Sequence, residues 1–212
     1  MPETAHHILT YLQQEYQPLS VIAYGSYADG SHNADSDFDA LVITESHEVF
    51  HDVSFVEGIQ LDVFVYPAPF FAGDFDCGDF VQISDGKILI DRDGTGAALQ
   101  NRVLSYLQKL PQKSEEEVRG EIEWCRKMLL RAKRGDAEGF FRWHWLLTDS
   151  LEIFCGAAGH PYRGPKKALR WLAGYDPEGF ARYQAALSGF RREDLEAWVS
   201  YLEQTGSQQQ PH

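Results

Sequence analysis

Cysteine is scarce in this chain of 212 residues, with only Cys77, Cys125 and Cys155. Their wide spacing fits neither a disulfide framework nor a zinc knot, so they read as apolar packing residues in a reducing compartment. No stretch approaches the roughly 18 apolar residues that a membrane span needs. The opening MPETAHHILTYLQQEY lacks a basic region followed by a long apolar run, so no secretory leader is expected. The most informative shortage is positive charge in the first half. Residues 1–110 hold 4 lysines and arginines against 17 aspartates and glutamates, which puts the whole net charge of −13 there. Residues 111–212 hold 15 of each sign. So acidic a surface repels a nucleic-acid backbone, and stable DNA or RNA binding is disfavoured. It suits cations instead, whether divalent metals or a positively charged substrate. With 43% apolar and 13% aromatic residues the chain can build a core, and wholesale disorder is excluded. A cytoplasmic protein without membrane contact is expected.

The two halves differ in period. HHILTYLQQEY places Ile8, Leu9 and Leu12 on one helical face. LSVIAY (19–24) and FDALVI (38–43) read as strands. HDVSFVEGIQLDVFVYP alternates around Glu57-Gly58 as a hairpin does, with Pro67 ending its second run. DGKILID (85–91) reads as a turn and a short strand, and residues 95–110 turn to helical spacing. Beyond Pro111 the pattern is helical. Ser114 and Glu117 form a capping box for a helix to about Arg134, with Val118, Ile122, Cys125 and Leu129 as its stripe. Gly135-Asp136 breaks it. A helix over roughly 138–156 is apolar on most sides, the mark of a bundle centre, so His144 and the five tryptophans are expected in the packing, with an acceptor pocket as the alternative place for one or two of the tryptophans. Three shorter helices follow, and the tail TGSQQQPH is expected to fray. The expectation is an α+β chain, a small mixed-sheet domain over 1–110 followed by an all-α helical bundle over 111–212.

Within AYGSYADGSHNADSDFDALVI (23–43), Asp37 and Asp39 stand two apart at the start of a strand and point to one face. Carboxylates that close repel each other, and hard oxygen ligands on one face make half of a magnesium site. Asp62, mid-strand among apolar neighbours, is the candidate third acid. Three acids suit two-metal phosphoryl chemistry. Upstream, Gly25 permits a tight turn and Ser26 offers a hydroxyl and an N–H to a phosphate.

Gly25-Ser26, Ala28, Gly30, then Ser36-Asp37-x-Asp39 and a later strand aspartate, Asp62, resemble the polymerase-beta-type nucleotidyltransferase superfamily. The chain is similar to its small minimal members and to antibiotic nucleotidyltransferases of the kanamycin and lincosamide type. The resemblance implies two Mg2+ ions, a nucleoside triphosphate such as ATP, and transfer of its nucleotidyl group to an acceptor with release of pyrophosphate. It assigns Asp37 and Asp39 as metal ligands. Asp62 becomes a ligand that also helps deprotonate the acceptor, and Gly25, Ser26 and Ser36 become nucleotide contacts. Asp29 stands where minimal antitoxin-type members often carry arginine.

In the second half, Pro165 at a first helical position is followed by Lys166 and Lys167, of which one or the other is expected to reach the triphosphate, the alternative being two solvated lysines beside Arg163 and Arg170. Asp149 and Glu152 share a helix face; the resemblance to antibiotic nucleotidyltransferases implies that they are candidate bases for the acceptor hydroxyl, the alternative being a salt bridge to Arg142 or Arg170. The expected activity is nucleotidyl transfer to a small hydroxylated acceptor, cationic like an aminoglycoside, or lincosamide-like. The alternatives are a toxin–antitoxin-type enzyme that AMPylates a partner protein, and a nucleotide-binding protein without turnover. A homodimer is compatible with the sequence.

Overall fold

The β-branched run after Pro18 forms β1 (Ser20–Ala23), buried throughout. It pairs antiparallel with β2 (Phe38–Thr44) on one side and β6 (Lys87–Asp91) on the other. β2 lies parallel to β5 (Ile59–Pro67), whose far edge takes the short antiparallel strands β3 (Phe50–Asp52) and β4 (Phe55–Val56). The six-stranded mixed sheet has the order β3-β5-β2-β1-β6, with β4 also on β5. The computed structural model describes residues 3–45 and 48–208. Two compact units, Met1–Leu110 and Pro111–His212, divide the chain.

Alternation along the strands splits the first unit's core between two faces. Val21, Ala40, Val42, Val63 and Val65 meet α1 (Glu3–Tyr16) through Ile8 and Leu12. Ile22, Leu41 and Ile43 meet Leu99 and Val103 of α4 (Thr95–Lys109), together with Phe80 and Ile83. Those last two lie in a 3-10 segment, Cys77–Asp85, which the sequence pattern did not suggest. The expected hairpin is present. Glu57 and Gly58 take φ of 52° and 80°, the left-handed pair of a two-residue hairpin turn. Its first arm is interrupted at Val53-Ser54, because the Asp52 carboxylate accepts the Ser54 N–H at 2.9 Å. The strand β5 includes Pro67, which leads directly into the one-turn helix α3 (Ala68–Ala72). Gly25-Ser26 opens a short helix, α2 (Gly25–Asp29), rather than a plain turn.

In the second unit, α5 (Glu115–Ala132) starts at the expected capping box: Ser114 Oγ accepts the Glu117 N–H, and Glu117 Oε2 accepts the Ser114 N–H at 2.8 Å. It is followed by α6 (Ala137–Ala157), α7 (Pro165–Tyr175), α8 (Pro177–Gly189) and α9 (Arg192–Gln208). Cys125, Leu146, Phe154, Leu172, Leu195 and Trp198 are fully buried in their shared core. Two neutral bonds fix that core, Trp198 Nε1 to Ser150 Oγ at 2.8 Å and the Tyr183 hydroxyl to the Leu147 carbonyl at 2.7 Å. Burial pushes the thiol pKa of Cys125 up to about 12 and that of Cys155 to about 11, as suits packing residues. Some expectations fail. His144 and Trp145 are exposed, since the wide apolar surface of α6 extends past the face its neighbours cover. The helix α9 runs on through Thr205–Gln208, where fraying was expected; the rest of that tail, residues 209–212, lies outside the described residues. Among the described residues, no helix is long and apolar enough to cross a membrane.

Candidate active site

Asp39 and Asp62 are directly opposite each other in the parallel β2–β5 pair. Asp37 precedes Asp39 by two residues and joins them: one carboxylate oxygen from each lies within 4.8 Å of the other two. At that spacing two full charges repel by roughly 3 kcal/mol in a partly screened environment. The strand register imposes the approach, because backbone bonds hold neighbouring strands about 4.8 Å apart whatever the side chains prefer. A divalent cation reverses the sign of that energy, and three oxygen donors are the hard ligands that magnesium takes.

Gly25 explains how the upstream segment tolerates this cluster. Its φ is +63°, and a Cβ built there would sit 2.2 Å from Asp39 Oδ2. Only glycine combines that backbone conformation with so close an approach to a carboxylate. The Tyr24 N–H donates to the Asp39 carbonyl at 3.0 Å and ties this corner to β2. Ser26 follows, buried in the first turn of α2. Ser36 lies in the loop just before β2. Its Oγ accepts the Asn33 N–H at 3.0 Å and bonds Asn33 Oδ1 at 3.2 Å, so it closes the loop before β2.

Two residues beside the acids were not anticipated. Tyr24 is buried, and burial followed by the charges of Asp62 and Asp39 pushes its phenol far above its ordinary range, which keeps the proton on. His51 on β3 places Nε2 2.5 Å from Asp62 Oδ1 and stacks its ring on Phe64 with centroids 4.2 Å apart. The hairpin register carries the signal for His51. Counting outward from Glu57-Gly58 pairs position 51 with 64, diagonal to 62 on the same face.

The remaining predicted residues lie in the second unit. Lys166 and Lys167 occupy the first turn of α7 after Pro165. Asp149 and Glu152 line one cavity of about 540 Å3. Asp149 accepts from Trp145 Nε1 at 2.6 Å, while Arg142 pairs with Glu138 and lies over the Trp145 ring. The cavity wall also includes Glu117, expected only as a helix cap, Trp124, and Glu121 and Lys113, which were not singled out from the sequence. Lys113 Nζ reaches Glu121 Oε1 at 2.6 Å, while Glu121 Oε2 is buried with no hydrogen-bond partner. A carboxylate oxygen out of water with nothing to accept from is costly, and an ammonium group satisfies it.

Residues 6–91 match the family model of the nucleotidyltransferase domain, a span that holds Gly25, Ser26 and all three aspartates. No curated protein matches the chain. Among solved structures it is similar to a nucleotidyltransferase-like protein from Exiguobacterium sibiricum. That similarity has 15% identity over 97% of this chain and 74% of the other, with a TM-score of 0.38.

Proposed function

We propose that the protein, a transferase of phosphorus-containing groups whose residues 6–91 match the nucleotidyltransferase domain model, catalyses the following reaction. The enzyme moves a nucleotidyl group from a nucleoside triphosphate to a hydroxyl of a small cationic acceptor, and pyrophosphate leaves. The observation that carries this reading is the meeting of Asp37, Asp39 and Asp62 within 4.8 Å across adjacent strands. These carboxylates, with the space that Gly25 leaves beside Asp39 Oδ2, fit divalent magnesium. Bound there, the metal supplies Lewis-acid charge for the triphosphate and lowers the pKa of an attacking hydroxyl. Asp62, as a ligand of that metal, would help to deprotonate the hydroxyl, and the α2 turn at Gly25-Ser26 offers backbone N–H groups to phosphate oxygens.

The acceptor is assigned to the cavity of the second unit. Four carboxylates, Glu117, Glu121, Asp149 and Glu152, outnumber its one lysine, and the Trp124 ring lends a face for a cation. That favours an amine-rich molecule of aminoglycoside or lincosamide type. Incubation with Mg2+ and labelled ATP, GTP, CTP or UTP, against a panel of such acceptors and neutral polyols, tests the reading. Acceptor-dependent pyrophosphate release is expected with the amines, reduced more than about 100-fold by Asp37→Ala or Asp39→Ala, beyond the usual cost of losing an outer-sphere partner. Release that survives both substitutions refutes the catalytic assignment. An acceptor affinity unchanged in Asp149→Asn and Glu152→Gln refutes the acceptor pocket.

A further inference from the structure

Asp62 shares one of its oxygens with a neighbouring side chain. His51 Nε2 lies 2.5 Å from Oδ1, although the two side chains keep 42% and 36% of their surface exposed. An ionised carboxylate only accepts, so with Asp62 in that form the contact takes the tautomer in which Nε2 donates to Oδ1. The ring has little freedom to do otherwise. It lies flat on Phe64, with 2° between the planes, directly across the β3–β5 pair. The strand that carries it has only three residues and stands at the sheet edge, yet it is anchored from below. The neighbouring Asp52 is buried and accepts from the Tyr16 hydroxyl at 2.7 Å and from the Ser54 N–H at 2.9 Å, which ties β3 to α1 and to its own following loop.

We propose that His51 is a positioning residue whose imidazole occupies Asp62 Oδ1 and so would limit Asp62 to a single-oxygen contact with a cation held by the three aspartates. The inference rests on reading the three aspartates as the metal site. Its consequence is selectivity. Small magnesium takes near-octahedral single-oxygen contacts, whereas calcium accepts bidentate carboxylates and higher coordination. Removing the imidazole frees Oδ1 to swing onto the ion, which loosens the fit for the smaller cation and eases it for the larger. Outer partners of metal ligands carry about 10- to 100-fold in metal affinity.

The test is Mn2+ binding, followed by the EPR signal of the free ion without nucleotide, with Mg2+ and Ca2+ as competitors. The variants are His51→Ala, His51→Gln and Asp62→Asn, each checked by thermal unfolding. Glutamine presents an N–H close to where Nε2 stood. His51→Ala is expected to weaken Mn2+ about 10- to 100-fold and to narrow the preference for Mg2+ over Ca2+. His51→Gln is expected to restore both to within about threefold, and Asp62→Asn to weaken Mn2+ at least as much as His51→Ala. If Asp62→Asn weakens Mn2+ while His51→Ala leaves affinity and Mg2+/Ca2+ preference unchanged, the positioning role is wrong and the metal site stands. If Asp62→Asn changes nothing, the metal site itself is wrong and this inference falls with it.

Discussion

In the helical unit, carboxylates meet arginine and lysine side chains: Glu203 with Arg126, Glu196 with Lys133, Glu178 with Arg182, Asp194 with Arg191. In the sheet unit, where 17 acids share 4 basic residues, they turn to other donors. Asp91 takes the N–H groups of Gly96 and Ala97, Asp52 takes a phenol and an amide, and Asp62 takes an imidazole. Exposed ion pairs of the first kind add little to stability, so their number says little about purpose. Acids that strand pairing forces together oppose folding. The proposed site therefore rests on the cluster rather than on the charge count.

The comparison breaks most sharply at Gly25. Gly25→Ala forces a side chain into the left-handed region, at about 1–2 kcal/mol. Its Cβ also has to displace a carboxylate oxygen 2.2 Å away. We expect a loss of at least about 2 kcal/mol in denaturant unfolding, together with weakened Mn2+ binding as Asp39 shifts. Wild-type stability and Mn2+ affinity in this variant would show that the corner beside Asp39 is looser than its geometry implies.

Asp52 sharpens the comparison as a sheet-unit acid that stabilises without a cation. Burial pushes its carboxyl pKa up, but the hydrogen bonds from Ser54 and Tyr16 outweigh that and hold it below the ordinary carboxylate value. With the folded pKa below the unfolded one, its contribution is complete above the unfolded value of about 4 and disappears as pH falls through the folded value. Asp52→Asn is expected to cost about 2 kcal/mol at pH 7, the usual worth of hydrogen bonds to a charged group. The gap to wild type should stay constant down to about pH 5 and close below about pH 4. A gap that widened in acid would contradict the assigned direction.

Much of this was legible because the relevant signals are local. A capping box, a change of period from two to 3.6, and a two-residue left-handed turn each act over a few residues, so the α+β class followed from pattern alone. The convergence of Asp37 and Asp39 on one face needed only the strand period. Bringing Asp62 to them required β5 to lie parallel beside β2, a long-range choice that no local propensity encodes. The 3-10 segment carries no period to read. On α6, Phe140, Phe141 and Trp145 are apolar in kind but exposed in fact, since periodicity cannot say where a neighbouring helix stops covering a face. His51 escaped notice because its meaning lies in cross-strand register rather than in its surroundings along the chain.

In the helical unit the largest polar contribution is expected from neutral groups. Ser150→Ala removes the acceptor of Trp198 Nε1, both residues being fully buried. A buried donor left without a partner costs about 1–3 kcal/mol, and the hydroxyl leaves a small void besides. We expect about 1–2 kcal/mol at neutral pH, read from chemical denaturation, and little dependence on salt because no charge is involved. A strongly salt-dependent loss would mean that the substitution perturbs the ion pairs of the bundle instead.

The smallest effect is expected where the charges look most carefully matched. Lys133 Nζ stands 2.7 Å from Glu196 Oε1, with 35% and 41% of the two side chains exposed. Water solvates both groups nearly as well as they solvate each other, and holding two long side chains in one geometry costs rotamer freedom. Lys133→Ala should therefore change stability by no more than about 0.5 kcal/mol, and the double change with Glu196→Ala should be additive within about 0.3 kcal/mol. Alanine rather than methionine is the better probe, because it removes the ammonium without adding apolar surface. A coupling energy above about 1 kcal/mol in that cycle would overturn the contrast drawn between the units, since it would make the ion pairs of the bundle structural elements in their own right.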